Sequence, residues 1–176
     1  SASMAFFPNR LSATALDIDI GTAGSITLFL QAVLIPSMFA NAAVKISATG
    51  GTDGKWSMPF DYFKEVFLHC LSKFAKIDAK LLKRGYYPKG GGKIEINIKP
   101  KFRLSNFESF GKFRDYLKRQ KLEILKTEQG KLLQVKGVSH ASKSLSDAKV
   151  AERQAEIAKM ELKSLGCPVN IETQYS

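Results

Sequence analysis

Thirteen residues, Ile26 to Met38 (ITLFLQAVLIPSM), carry one strongly polar side chain, Gln31, and follow directly on a glycine-rich turn, Gly21–Ser25. A segment apolar on nearly every side must be buried on several of them. It is also shorter than the roughly 18 to 20 residues needed to cross a bilayer. The run therefore predicts an internal helix, with Thr22 or Ser25 as N-cap and Pro36 limiting its last turn. Ala15–Ile20 alternates apolar and polar residues before the turn and reads as a strand.

The rest of the chain supplies a sheet for this helix to cover. Ala43–Ala48 reads as a short strand closed by the glycine-rich loop Thr49–Gly54. From Ser57 as candidate N-cap, Phe60, Phe63, Phe67, Cys70, Leu71 and Phe74 recur at steps of three and four, which predicts a second helix. Ala79–Tyr87 and Lys93–Ile98 predict a hairpin around Pro88–Gly92, with Ile94, Ile96 and Ile98 on one face. The order strand, helix, strand, helix, strand, strand packs as a sheet with two helices on one face. Beyond it, Leu104–Lys121 predicts a basic helix, Lys131–Val138 a strand, Ser146–Leu165 a helix stopped at Gly166, and Val169–Thr173 a strand. A strand, crossover helix and strand should pair in parallel and right-handed. The expected division is residues 1–4 as a cloning remnant, 5–100 as an α/β repeat and 101–176 as a second, partial α/β domain.

Charge is unevenly placed. Residues 1–60 balance three basic against three acidic residues, so the net +11 arises wholly beyond them; 80–136 alone holds sixteen basic and five acidic residues. Such a tract suits a phosphate-rich partner, the alternative being lysines that solvate helix and strand faces. Tyr86, Tyr87 and Phe102, interleaved with it, suit either core packing or base stacking. No apolar run is long enough for a membrane span, no signal sequence is evident, and Cys70 and Cys167 have neither CxxC spacing nor partners for a disulfide framework or zinc site. The expectation is a reduced, intracellular and cytoplasmic protein without membrane association, with Cys70 a small core residue.

Taken singly, the candidate motifs have ordinary explanations. Gly21–Ser25 can hold a phosphate at a helix N-terminus or simply cap the helix; no Gly-Lys-Ser/Thr and no GxGxxG follows. Pro88–Gly92 is a hairpin turn, and Arg84 and Lys89 beside it are candidate RNA or phosphate contacts. His69 and His140 have no carboxylate or cysteine at ligand spacing and are read as structural or solvated. Gln31 is either a core amide satisfied by backbone groups or a side chain facing a site shared with the Gly21–Ser25 loop.

In order along the chain, Asp19–Ser25 with Leu30-Gln31-Ala32, Gly50-Gly51-Thr52-Asp53, Pro59-Phe60-Asp61-Tyr62, Lys83–Gly92 and Val150-Ala151-Glu152-Arg153 closely resemble the RNA 3'-terminal phosphate cyclase family. The resemblance covers Phe6–Pro100 well and Gly130–Thr173 more loosely; Lys101–Gln129 is longer than the corresponding family segment. It implies a two-helix, four-stranded repeat similar to the C-terminal domain of a bacterial translation initiation factor, followed by a smaller inserted α/β subdomain. On this basis the chain corresponds to a middle repeat plus much of the insert.

The activity implied is an ATP-dependent ligase-class reaction, with magnesium or another divalent cation. A histidine attacks the α-phosphorus of ATP, AMP passes to the RNA 3'-phosphate, and the 2'-OH displaces it to leave a 2',3'-cyclic phosphate. His69 and His140 do not match the family's nucleophile, so no catalytic residue is assigned and the fragment is expected to be inactive alone. Gln31 matches an ATP-contacting glutamine and Pro59 a proline beside the adenine. The partners implied are ATP, RNA 3'-phosphate ends, and the missing repeats of the same enzyme or a second copy. The alternative is a noncatalytic cyclase-like RNA-binding or ribosome-assembly scaffold.

Overall fold

The computed structural model describes residues 3–5, 7 and 15–176; the expected remnant at residues 1–4 and the start of the resemblance at Phe6 lie partly outside the described residues. The chain divides into two compact units, 1–124 and 125–176.

The first unit is built on a four-stranded sheet of β1 (Ala15–Asp19), β2 (Val44–Gly50), β3 (Ala75–Lys83) and β4 (Gly92–Pro100), in the order β1-β2-β4-β3. β1 pairs with β2 in parallel, while β4 is antiparallel to both β2 and β3. Helix α1 (Ile26–Met38) has the predicted bounds, and Ser25 is its cap, its Oγ accepting from the Leu28 N–H at 3.2 Å. Helix α2 runs as Phe60–Tyr62, a wider π-helical stretch Phe63–Phe67, and Leu68–Leu71. The two helices cover one face. Ile26, Leu30, Leu34 and Met38 of α1 and Phe60, Phe63, Leu68 and Leu71 of α2 bury against Ile46, Ala48, Ala79, Ile94, Ile96 and Ile98. Complete burial of a leucine such as Leu30 or Leu34 contributes about 1.5–3 kcal/mol.

Several element bounds differ from expectation. β2 continues through Thr49 and Gly50, which pair with Lys93 and Gly92 of the central strand, so the ladder overrides the glycine. α2 opens at Phe60 with Pro59, not Ser57, at its N-cap, and no side chain caps it. Its last predicted residue, Phe74, lies beyond the helix, and β3 begins at Ala75 instead of Ala79 because Ala75 and Lys76 pair with Pro100 and Lys99. Leu104–Lys121 is not one helix: a short 3-10 turn, Leu104–Asn106, precedes α3 (Phe110–Arg119), which Ser109 caps. Phe113 of α3 is buried and packs edge-on against Phe39 at 5.1 Å, while Phe102 meets Tyr116. These aromatic contacts place 101–124 with the first unit, so the compact division falls at 124/125 and not at 100/101.

In the second unit, β5 (Val135–Ala141) pairs in parallel with β6 (Val169–Tyr175), as expected for strand, helix, strand. Helix α4 (Val150–Leu162) buries Ala151 and Ala155 and leads into a short 3-10 turn closed by Gly166 at φ +66°. Both strands run further than predicted at their C-terminal ends. Among the described residues, no helix is long and apolar enough to cross a membrane.

Candidate functional site

Three glycine-rich segments distant in sequence meet at one end of the first unit's sheet. Gly51 N–H donates to Gly24 C=O at 2.7 Å, and Gly51 C=O accepts from Ile26 N–H at 2.9 Å, which ties the turn before α1 to the end of β2. Thr52 N–H donates to Gly85 C=O at 2.9 Å, and Gly85 N–H donates back to Thr52 Oγ1 at 3.0 Å, which ties the same strand end to the β3–β4 connection. The third side is closed by steric proximity: a Cβ on Gly90 would lie 1.6 Å from Thr22 C=O, and Gly90 has φ +66°. Only glycine fits there.

Several donors of the Gly21–Ser25 turn are engaged within these loops. The N–H groups of Gly24 and Ile26 go to carbonyls of the loops, and that of Gly21 to Asp19 Oδ1 at 2.8 Å. The turn caps α1 and clamps its neighbours, with these donors engaged by protein.

Beside the loops lies a buried charge cluster that sequence spacing did not disclose. Arg84 is 6% exposed; its Nη1 donates to Asp53 Oδ2 at 3.2 Å and its Nη2 to Asp61 Oδ2 at 2.8 Å. Burial pushes the Arg84 guanidinium down, but the hydrogen bond to Asp61 and the charges of Asp53 and Asp61 outweigh it and hold it above its ordinary range. Thr52 Oγ1 donates to Asp53 Oδ2 at 2.7 Å, and Asp53 Oδ1 accepts from Phe60 N–H at 3.3 Å. Asp53 thus joins the β2 loop, the start of α2 and the β3–β4 connection. Arg84, expected with Lys89 at a phosphate-contacting surface, is placed inside this network, while Lys89 is exposed. The signal that could have marked Arg84 is its place between the end of a strand and a glycine, opposite two aspartates at other loop ends.

Gln31 and Pro59 are connected through Thr27. Gln31 is half-buried, and its Nε2 donates to Thr27 C=O at 3.2 Å, one turn back on its own helix. The fully buried Thr27 donates through Oγ1 to Met58 C=O at 2.7 Å, next to the exposed Pro59. A hydroxyl has one proton, so in the 3.1 Å contact between Ser25 Oγ and Thr27 Oγ1 it is Ser25 that donates. Among the described residues no buried side-chain polar atom lacks a partner.

Two aromatic side chains stand out in solvent on these loops: Tyr87 at 86% exposed and Trp56 at 88%, with Lys55 Nζ 5.0 Å from the Trp56 ring centre. Tyr87 is thereby a surface group and not a core one. Trp56 was not singled out from sequence, although a lone tryptophan between Gly54 and Pro59 has no strand or helix in which to be buried. His69 is exposed on α2 and Cys70 half-buried on it.

The chain matches the model of the RNA 3'-terminal phosphate cyclase family over residues 1–167. It is similar to proteins named RNA 3'-terminal phosphate cyclase from Pyrococcus abyssi (41% identical), Pyrococcus furiosus (40%) and Archaeoglobus fulgidus (36%). The alignments cover 100%, 100% and 99% of this chain and 46%, 46% and 47% of those relatives, so the chain spans about half their length. The blocks that resembled this family in the sequence include the three loops now seen in mutual contact, and the match spans nearly the whole chain: it belongs to the RNA 3'-terminal phosphate cyclase family.

Proposed function

We propose that the chain is part of an ATP-dependent enzyme that converts an RNA 3'-phosphate to a 2',3'-cyclic phosphate through enzyme–AMP and RNA–adenylate intermediates, with a divalent cation such as magnesium. The observation that carries this reading is the convergence of the Gly21–Ser25, Gly50–Asp53 and Gly85–Gly92 loops beside Gln31 and Pro59. Gln31 reaches the phosphates of ATP and Pro59 flanks its base. Lys89 meets an RNA phosphate, and Arg84 positions the loops from within the fold. The nucleophilic histidine is neither His69 nor His140 and comes from outside this chain.

Incubating the full-length parent with ATP, magnesium and an RNA carrying a labelled 3'-phosphate tests the proposal. The expected product keeps its label after phosphatase treatment and depends on ATP. A 3'-phosphate that stays phosphatase-sensitive, or a product formed without ATP, would require withdrawing it.

A further inference from the structure

The sheet face opposite the helices carries an unbalanced distribution of charge. On the antiparallel β3–β4 pair, Lys76 lies directly across from Lys99 and Lys83 from Lys93, with Lys80 opposite Glu95 between them and Asp78 opposite Asn97. Like charges placed directly opposite each other destabilise a sheet. Among the described residues, none of Lys76, Lys80, Lys83, Lys93 or Lys99 has an ion-pair partner within 4.0 Å. The acidic groups Asp17 and Asp19 sit on β1 at the other edge, two strand spacings (about 10 Å) from β4 and three (about 14 Å) from β3, so salt weakens their effect on these lysines.

At the far end of the face Lys76 and Lys99 stand beside Asp78. Lys76, Asp78, Asn97 and Lys99 line a concavity of about 450 Å³. Lys101 continues the ladder through its N–H to Phe74 C=O, and the ammonium groups of Lys101 and Lys73 donate to the backbone carbonyls of Ser72 and Glu123, which leaves their charge unneutralised. Lysines on an exposed edge strand also discourage strand pairing with other molecules. That accounts for Lys76, Lys80 and Lys83 on β3, but not for Lys93 and Lys99 on β4, which is paired on both sides.

We infer that the open face of β3 and β4 is a docking track for the phosphate backbone of single-stranded RNA, with the Lys76–Lys99 concavity as its far phosphate site. The partner rests on the proposed function; the track itself rests on charge complementarity. β4 leaves the glycine loops at Gly92 and reaches Lys99 seven residues later, about 23 Å away. A strand whose 3' end lies at the loops would meet Lys93 and Lys83 first and Lys76 and Lys99 last. Among the described residues the face carries no aromatic side chain to stack a base, so the track reads backbone charge and not sequence.

The test is fluorescence anisotropy of the 176-residue chain with a single-stranded RNA of about ten nucleotides, a typical single-strand site size. The doubly substituted Lys76→Glu/Lys99→Glu chain should bind at least about tenfold more weakly and show a salt slope smaller by about 1.4, two phosphate contacts' worth. The loss should be equal for RNA ending in a 3'-phosphate or a 3'-OH, and absent for a dinucleotide. Lys99→Glu alone should raise the thermal unfolding midpoint while weakening binding, because it replaces a repulsive cross-strand pair with an attractive one. Unchanged affinity in the double variant, an equal loss in Lys159→Glu/Lys163→Glu, polyglutamate binding as tightly as RNA, or no RNA binding at all would each overturn the inference. A parent enzyme that fails to cyclise RNA while this lysine-dependent binding persists would refute the proposed function alone.

Discussion

Thr27 Oγ1 donates to the carbonyl of Met58 across 31 positions of sequence, at 2.7 Å. This bond fixes the first turn of α1, one turn before Gln31, against the residue that leads into Pro59. The two residues proposed to contact ATP are therefore held in register by a third that does not. Ser25 donates to the same Thr27 oxygen and caps the helix, so the entry to α1 and the approach to α2 are one hydrogen-bonded unit.

Thr27→Val keeps the shape of this side chain and removes its hydroxyl, leaving Met58 C=O without that donor. Denaturant unfolding should show a loss of about 1–3 kcal/mol. Ser25→Ala should cost about 1 kcal/mol by the loss of the cap.

Gln31→Leu separates ATP contact from helix stability. The amide is half-buried and its Nε2 bond is to its own helix, so leucine should leave the thermal midpoint equal or slightly higher. In the full-length parent, labelling with α-labelled ATP should nonetheless fall. A marked loss of stability with unchanged labelling would make Gln31 a core residue and remove it from the nucleotide site.

Arg84→Met should destabilise the first unit by about 1.5–3 kcal/mol in denaturant unfolding, because it removes the charged donor that Asp53 and Asp61 both accept from. Adding Asp53→Asn and Asp61→Asn should recover part of that loss, since it removes the two negative charges that faced the guanidinium. The recovery would be absent if Arg84 contributed mainly through packing.

The two adjacent glycines Gly90 and Gly91 share φ +66° but not surroundings. A Cβ on Gly91 meets nothing within 4 Å, whereas one on Gly90 runs into Thr22 C=O. Gly91→Ala should cost about 1 kcal/mol for the left-handed backbone alone. Gly90→Ala should cost distinctly more and disturb the amide NMR signals of Thr22 and Ala23.

The second unit should lose stability at both ends of the pH scale through one contact. Tyr175 OH donates to Glu152 and accepts from Ala151 N–H at 3.1 Å at the start of α4. The hydrogen bond from Tyr175 lowers the Glu152 carboxyl below its ordinary 4.5; that stabilisation is present above 4.5 and disappears as pH falls through the lowered value. Desolvation, then the Glu152 hydrogen bond, raises the Tyr175 phenol above 10.0; its contribution is present below 10.0 and disappears as pH rises through the raised value. Tyr175→Phe should flatten both limbs in amide exchange of α4.

What the sequence determined by itself was local. The bounds of α1 followed from thirteen apolar-patterned residues and an adjacent serine cap, and the core face of β4 from isoleucine at every second position, because both signals lie within a few residues. The parallel pairing of β5 and β6 followed from their order around a helix. The loop blocks that carried the family resemblance were legible as residues, but not as a site. Pairing decided the strand bounds: Lys76 and Asp78 were invisible as strand until Lys99 and Asn97 stood opposite them. Burial decided Arg84. A guanidinium leaves water only where compensating carboxylates are already in place, and those of Asp53 and Asp61, 31 and 23 positions away, reach it only once β2, α2 and the β3–β4 connection have converged.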